Sequence, residues 1–159
     1  DVAQAVLDVC EKYGGGNIVL NNDDRLNQLG ITDAVKAKYD SFVWDFSLDR
    51  ENIAKSAEAN IGIVHAEYGL AESGGIVLYA TKDNGRSTSL LPTTSVVVVR
   101  KSKVLPRVAQ LAQKAQAGER MPSCINIISG PSATADIELI KVVGVHGPVS
   151  KIYVVIDDL

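Results

Sequence analysis

Val2, Val6, Val9 and Tyr13 recur at spacings of three and four residues, which predicts a helix over residues 2–13. Gly14-Gly15-Gly16 ends it with the backbone freedom a helix terminus needs. Residues 17–20 read as a short apolar strand, followed by a polar loop over 21–24. A weaker helical stretch covers 25–39 and is interrupted near Gly30. Phe42, Trp44 and Phe46 alternate with Val43 and Asp45, the period of a strand with one aromatic face. A helix over 50–59 and a strand over Ile61–His65 follow. Strands are expected at 76–80 and 96–99, separated by the turn Lys82-Asp83-Asn84-Gly85 and a polar stretch. Ser102 then caps a helix that carries Val104, Val108, Leu111 and Ala115 on one face and stops near Gly118. Two more strands, 125–128 and 152–156, enclose a polar segment with a short helix-like stretch at 135–141.

Val96 to Val99 do not alternate with polar residues, and Ile152 to Ile156 are nearly as apolar throughout. Strands of this kind are buried on both faces, and helices on both faces accompany a largely parallel sheet. The pattern therefore predicts an α/β fold with three layers, α/β/α, a mostly parallel sheet and some antiparallel β in the middle. Nothing in the pattern divides the chain, so residues 1–159 are expected to form a single domain. With 46% hydrophobic and 22% charged residues, the composition is that of an ordinary globular protein. A net charge of −3 and the lack of a basic cluster argue against nucleic acid or an anionic membrane as the main partner. No apolar run is long enough to span a bilayer. The N-terminus does not read as a signal peptide, and its missing methionine suggests a trimmed chain or a fragment of a longer protein. Cys10 and Cys124 each sit in an apolar pattern, as reduced core cysteines of a cytoplasmic protein do.

The candidate chemistry lies in polar groups on turns between buried strands. Ser129-Gly130-Pro131-Ser132-Ala133-Thr134 follows one strand and precedes the helix-like stretch, with Asp136 and Glu138 close behind. Amides at that helix start, with the hydroxyls of Ser132 and Thr134, suit a carboxylate or phosphate; a plain helix cap explains the same residues. The glycine-rich turn Tyr68-Gly69-Leu70-Ala71-Glu72-Ser73-Gly74-Gly75 lets a backbone approach a ligand and offers Glu72 as base or nucleophile. A tight β connection accounts for it equally well, and its spacing is neither a dinucleotide fingerprint nor a P-loop. Arg86 carries the planar fork that grips carboxylates and phosphates, although a surface arginine is the commoner outcome. His146, beside Gly147-Pro148, is a candidate proton carrier or a structural histidine, and His65 reads as a satisfied core histidine. Two histidines without paired metal spacing predict no intrinsic metal.

Three segments together resemble the lactate-utilisation protein C family (LutC/YkgG, the LUD domain). They are Gly69-Leu70-Ala71-Glu72-Ser73-Gly74, then residues 86–92, then Ile128-Ser129-Gly130-Pro131-Ser132 through His146-Gly147-Pro148. The resemblance is good over residues 60–157 and looser before them. It implies a fold similar to the NagB/RpiA/CoA-transferase group. It also implies a role in oxidising L-lactate to pyruvate beside iron-sulfur partner proteins encoded in the same operon. The clusters then belong to the partners and no cofactor is intrinsic to this chain. Where the family tends to read Ala-Asp-Thr-Gly-Thr, this chain has Ala71-Glu72-Ser73-Gly74-Gly75. Ala133 replaces a common basic residue, and Thr94 stands where a histidine is expected.

The resulting expectation is a non-iron-sulfur subunit that binds a small carboxylate or phosphate-bearing ligand, or its partner complex. Glu72 and His146 are the candidate proton carriers. Ser73, Gly74, Gly75, Arg86, Ser129, Gly130, Ser132, Thr134 and Asp136 are the candidate binding residues. A stand-alone CoA-transferase-like or sugar-phosphate enzyme using Glu72, and a pure interaction domain, are the alternatives.

Overall fold

The computed structural model describes residues 1–135 and 139–158. Its elements run, in order, α1 (Val2–Lys12), β1 (Ile18–Leu20), α2 (Asp24–Gln28), α3 (Ile31–Lys38), β2 (Ser41–Val43), α4 (Arg50–Glu58) and β3 (Ile61–His65). The second half holds β4 (Tyr68–Leu70), β5 (Gly75–Tyr79), α5 (Ser87–Leu90), β6 (Thr94–Arg100), β7 (Val104–Leu105) and α6 (Ala109–Gln116). The strands β8 (Ile125–Ile128), β9 (Ala133–Thr134), β10 (Val142–Val143) and β11 (Ser150–Ile156) close the chain.

Five strands form an all-parallel sheet in the order β11-β6-β3-β1-β2. Alternate residues face opposite sides of it. On one side Ile18, Leu20, Ile61, Ile63, Val96 and Val98 meet Val6 and Cys10 of α1, Leu26 of α2, and Ile31 and Val35 of α3, all buried. Fully burying side chains of this size contributes about 1.5–3 kcal/mol each. On the other side Val64, Val97 and Val99 pack against Ile76 and Leu78 of a second sheet, ordered β7-β4-β5-β8. Helices α4 and α5 cover the rest of that side, α5 lying directly on β3 and β6. The fold is thus α/β with a mostly parallel central sheet, helices on its faces and antiparallel β between, as the hydrophobic pattern predicts.

The strand order locates the place where such a fold binds ligands. From β1 the chain moves outward to β2, then crosses back past β1 to β3 on the other side. A crevice opens at the carboxyl ends of β1 and β3, where the two connections diverge.

Four local expectations fail, each for a visible reason. The strand β2 stops at Val43, because Asp45 caps a 3-10 turn over Phe46–Leu48 by accepting the Ser47 N–H at 2.8 Å. No aromatic face forms: Phe46 is 69% exposed. Val104 and Leu105 lie in a strand beside β4 rather than in a helix, and α6 begins only at Ala109. Gly69 leaves room for the Val104 side chain, and the open edge of β4 takes that segment into the second sheet. The strand β11 is a sheet edge with one apolar face in solvent, Tyr153 and Val155 being 39% and 54% exposed. Finally, Ala135 and Lys141 are not helical, and β9 and β10 pair antiparallel on either side of the undescribed residues. Ser132 Oγ closes this ribbon by accepting the Val145 and His146 N–H groups, each at 3.0 Å.

Candidate functional site

The first residue after β1 is Asn21, and the last of β3 is His65. Both are buried polar residues set at the carboxyl end of an apolar strand. Register puts them side by side: the Asn21 N–H donates to the Ile63 carbonyl at 3.2 Å. A loop from the second sheet, residues 80–86, closes over them. Thr81 Oγ1 folds this loop by accepting the Asn84 N–H at 3.1 Å, and the Asn22 N–H reaches the Asp83 carbonyl at 3.0 Å. Trp44 clamps the loop from outside, its indole N–H donating to the Lys82 carbonyl at 2.8 Å. The Trp44 ring occupies the space a Cβ on Gly85 would need, so glycine is required there.

Beneath the loop lies a cavity of about 10 Å³ lined by Asn21, His65, Asn84, Arg86, Ser89 and Asn126, with Leu78 to Ala80 behind. Its polar atoms are unmatched. Both ring nitrogens of His65, Asn21 Oδ1 and Asn84 Oδ1 are buried without a hydrogen-bond partner. A buried polar group left this way costs about 1–3 kcal/mol, which a bound ligand or water would recover. Asn84 also lines a wider, open cleft of about 390 Å³ with Asn22, Asp23, Asp24, Arg25, Thr81 and Asp83. Asn84 is the one lining residue the two spaces share.

An ion-pair network fixes this wall. Asp23 is buried and caps α2, accepting from the Arg25 backbone N–H at 2.9 Å and from the Arg25 guanidinium at 2.8 and 2.9 Å. Arg25 Nη1 reaches Glu67 Oε2 at 2.7 Å. Burial, and then the neighbouring Arg25 charge, push the His65 imidazole down to about pKa 4. At neutral pH it is therefore uncharged, with one nitrogen able to donate and the other to accept. Burial raises the Asp23 carboxyl, but the Arg25 hydrogen bonds and charge outweigh this and hold it below its ordinary value.

Of the residues expected from sequence, Arg86 lies in this site. It is exposed, lines the inner cavity and makes no ion pair among the described residues. Glu72, Ser73, Gly74 and Gly75 lie at the other end of β5, roughly 15 Å away at the rise of a strand. There Glu72 Oε1 pairs with Arg107 Nε at 3.2 Å, and Ser129 Oγ donates to Ser73 Oγ at 3.2 Å. Ser129 also fills the space over Gly75, the Gly74 carbonyl accepts the Tyr153 hydroxyl at 2.8 Å, and Gly130 takes a positive φ of 58°. Ser132 and His146 meet through the backbone bonds of the ribbon, with the His146 ring exposed. Thr134 sits in β9, and Asp136 lies outside the described residues. The structure joins Ser73 with Ser129 and Ser132 with His146, but unites neither pair with Arg86. With no helix start at Ser132 or Thr134, the amide cradle expected there is replaced by the closed ribbon.

Sequence reasoning missed His65, Asn21 and Asn84. A signal was present: each of Ile18-Val19-Leu20-Asn21 and Ile61-Gly62-Ile63-Val64-His65 ends an apolar run on a polar residue. In a parallel sheet that position is the ligand rim. Among the described residues no group of three or more His, Cys, Asp or Glu is placed to hold a metal, and no helix is long and apolar enough to cross a membrane.

A profile of the LUD domain matches residues 1–156. The chain belongs to the LUD-domain family. A protein called uncharacterized protein YkgG from Escherichia coli K12 is 56% identical over 160 residues, covering 98% of this chain and 69% of the relative. Proteins called lactate utilization protein C from Macrococcus caseolyticus and Bacillus subtilis are 44% and 42% identical. These two matches cover 99% and 97% of this chain and 69% and 68% of the relatives. The crystal structure of a DUF162 family protein from Deinococcus radiodurans superposes with a TM-score of 0.51 at 19% identity. It covers 97% of this chain and 95% of that one, and shows the LUD fold to be shared.

Proposed function

We propose that this chain is the non-iron-sulfur subunit of a cytoplasmic system that oxidises L-lactate to pyruvate, working beside iron-sulfur proteins that carry the electrons. Membership of the LUD-domain family, with relatives called lactate utilization protein C, supports the role. The observation that carries the site is the small cavity at the strand rim, where His65, Asn21 and Asn84 hold unmatched polar atoms beside Arg86. These atoms can be matched by a ligand's polar group, and Arg86 supplies a cation for a small acid.

The Glu72 turn supports an enzyme of the CoA-thioester or sugar-phosphate kind less well. Its carboxylate is exposed and already paired with Arg107.

Growth on L-lactate tests the proposal, using a strain that lacks the gene and is complemented with full-length variants. Arg86→Ala and Asn84→Ala should each abolish or severely slow growth on L-lactate, with growth on glucose unchanged. A lost charge-assisted contact corresponds to roughly a ten- to hundredfold weaker ligand complex. Glu72→Ala and His146→Ala should grow nearly normally. Normal growth of both rim variants would overturn the site assignment, and normal growth of the deletion strain would overturn the role.

A further inference from the structure

We infer that the open edge of β11 is a dimer interface, on which a second copy of this chain pairs its own β11 antiparallel about a two-fold axis at Val154.

The edge is of the kind that invites pairing. β11 runs seven residues, Ser150–Ile156, and bonds to β6 on one side only. Edge strands are commonly kept short, bulged or charged, because their free N–H and C=O groups accept another strand. The opposite edge obeys that rule: β2 has three residues and ends at the 3-10 turn capped by Asp45. β11 departs from it. Ile152 to Ile156 carry no charge, and a strand apolar throughout belongs inside a sheet. Val154 and Ile156 pack against the main core, but Tyr153 and Val155 on the other face are 39% and 54% exposed. They border an apolar groove of about 130 Å³ shared with Leu70, Val99 and Val104.

Antiparallel pairing about Val154 sets Tyr153 opposite the partner's Val155 and Ile152 opposite the partner's Ile156. It also sets Lys151 opposite the partner's Asp157. Each match occurs twice, and an aromatic beside a β-branched residue is a pair that favours strand association. Lys151 selects this register. Its Nζ is buried without a partner, and the strand pairing puts it beside Ser95, whose Oγ is also unmatched. An inward lysine on an edge ordinarily forbids a further strand, which would seal in an unanswered charge. Here the two-fold brings a carboxylate to that lysine. Asp157 is 73% exposed and gives Oδ1 to Lys101 at 2.9 Å, while its Oδ2 has no partner among the described residues. Moving the axis to Tyr153 would set Lys151 against the partner's Val155 and leave both charges unmatched.

Sedimentation of the purified full-length protein at micromolar concentrations tests this, and twice the mass of one chain is expected. Asp157→Lys, at an exposed position, should raise the dimer dissociation constant about tenfold or more, because symmetry removes two ion pairs at once. Val155→Asp should leave only monomer. Lys151→Asp combined with Asp157→Lys should restore the dimer. Amide exchange over residues 150–156 should be slow in the dimer and quicken on dilution. A monomer at every concentration would overturn the inference, whether those amides exchange freely or are covered by another segment of the full-length chain. A dimer indifferent to both Asp157→Lys and Val155→Asp would overturn it too, since its contact then lies elsewhere. A double charge-swap variant that folds normally but stays monomeric would overturn the Val154 register.

Discussion

Replacing Gly62 with alanine should destabilise the protein by roughly 3 kcal/mol and lower its melting temperature by about 6–12 °C, the upper range for forcing volume into a packed core. Gly62 lies in the middle of β3, paired with Val19 on one side and Ser95 on the other. On the outward face α5 comes so close that the Thr88 carbonyl and the Pro92 ring occupy the place of a Cβ. Neither neighbour yields easily. Thr88 and Ser89 are buried, and the chain after Pro92 is tied down by the Thr94 N–H, which donates to the Asn60 carbonyl at 2.8 Å. Relief comes only by moving α5, and that carries Arg86 and Ser89 away from the cavity they line. Thermal melting of Gly62→Ala checks the first effect and ligand titration the second. Gly74→Ala is the control: its positive φ of 62° costs about 1 kcal/mol, but nothing lies within 4 Å, so the site should be untouched. Equal melting temperatures for the two variants would show that β3 and α5 are not packed as described.

The second large effect appears on acidification. Between about pH 6.5 and pH 4 the protein should lose up to about 3 kcal/mol of stability through His65 alone. The unfolded histidine takes up a proton near its model value of 6.5, while the folded one resists until about 4. Over that window the unfolded state binds more protons, so stability falls with pH; below it both states are protonated and this contribution is exhausted. Arg25 is the cation that faces the ring and opposes its charge, with Asp23 and Glu67 partly offsetting it and Arg86 at the cavity wall. Asp23 acts in a lower window. Its folded carboxyl is depressed, so its contribution is present above the unfolded value of 3.8 and is lost as pH falls through its own folded value. Urea denaturation at half-unit steps from pH 7.5 to 4 should show the His65 slope, and His65→Gln should flatten it. An unchanged slope in that variant would mean the imidazole is not held neutral by burial.

The hydrophobic pattern carried most of the architecture. The strand Ile61–His65 and the break at Gly30 between α2 and α3 are where periodicity and glycine place them. Local pattern failed where a partner segment decided the conformation. Val104 shares a helix-face spacing with Val108 and Leu111, but the open edge of β4 takes it, with Leu105, into a strand. Residues 133–134 and 142–143 pair across the chain because Ser132 closes the ribbon, a contact no local signal encodes. The site was half legible. Arg86 could be picked out as an anion partner from its chemistry alone, because that chemistry does not depend on burial. His65 could not, since the same histidine in an apolar run is either satisfied or stranded, and only the loop over residues 80–86 decides which. The Glu72 turn and the Ser132–His146 ribbon are conspicuous in sequence because they are glycine- and proline-rich turns. In space they lie away from Arg86, and their polar groups are occupied with one another or with Arg107.

Backbone amide spectra of the isotope-labelled full-length protein, recorded as L-lactate is added, test most directly whether function resides at the carboxyl ends of β1 and β3. The account predicts saturable shifts concentrated at Asn21, Asn22, His65, Ala66, Asn84, Gly85, Arg86 and Ser89, with Glu72, Ser73, Ser129 and His146 unmoved. Saturable shifts at Glu72, Ser73 and Ser129 with a silent rim would contradict it.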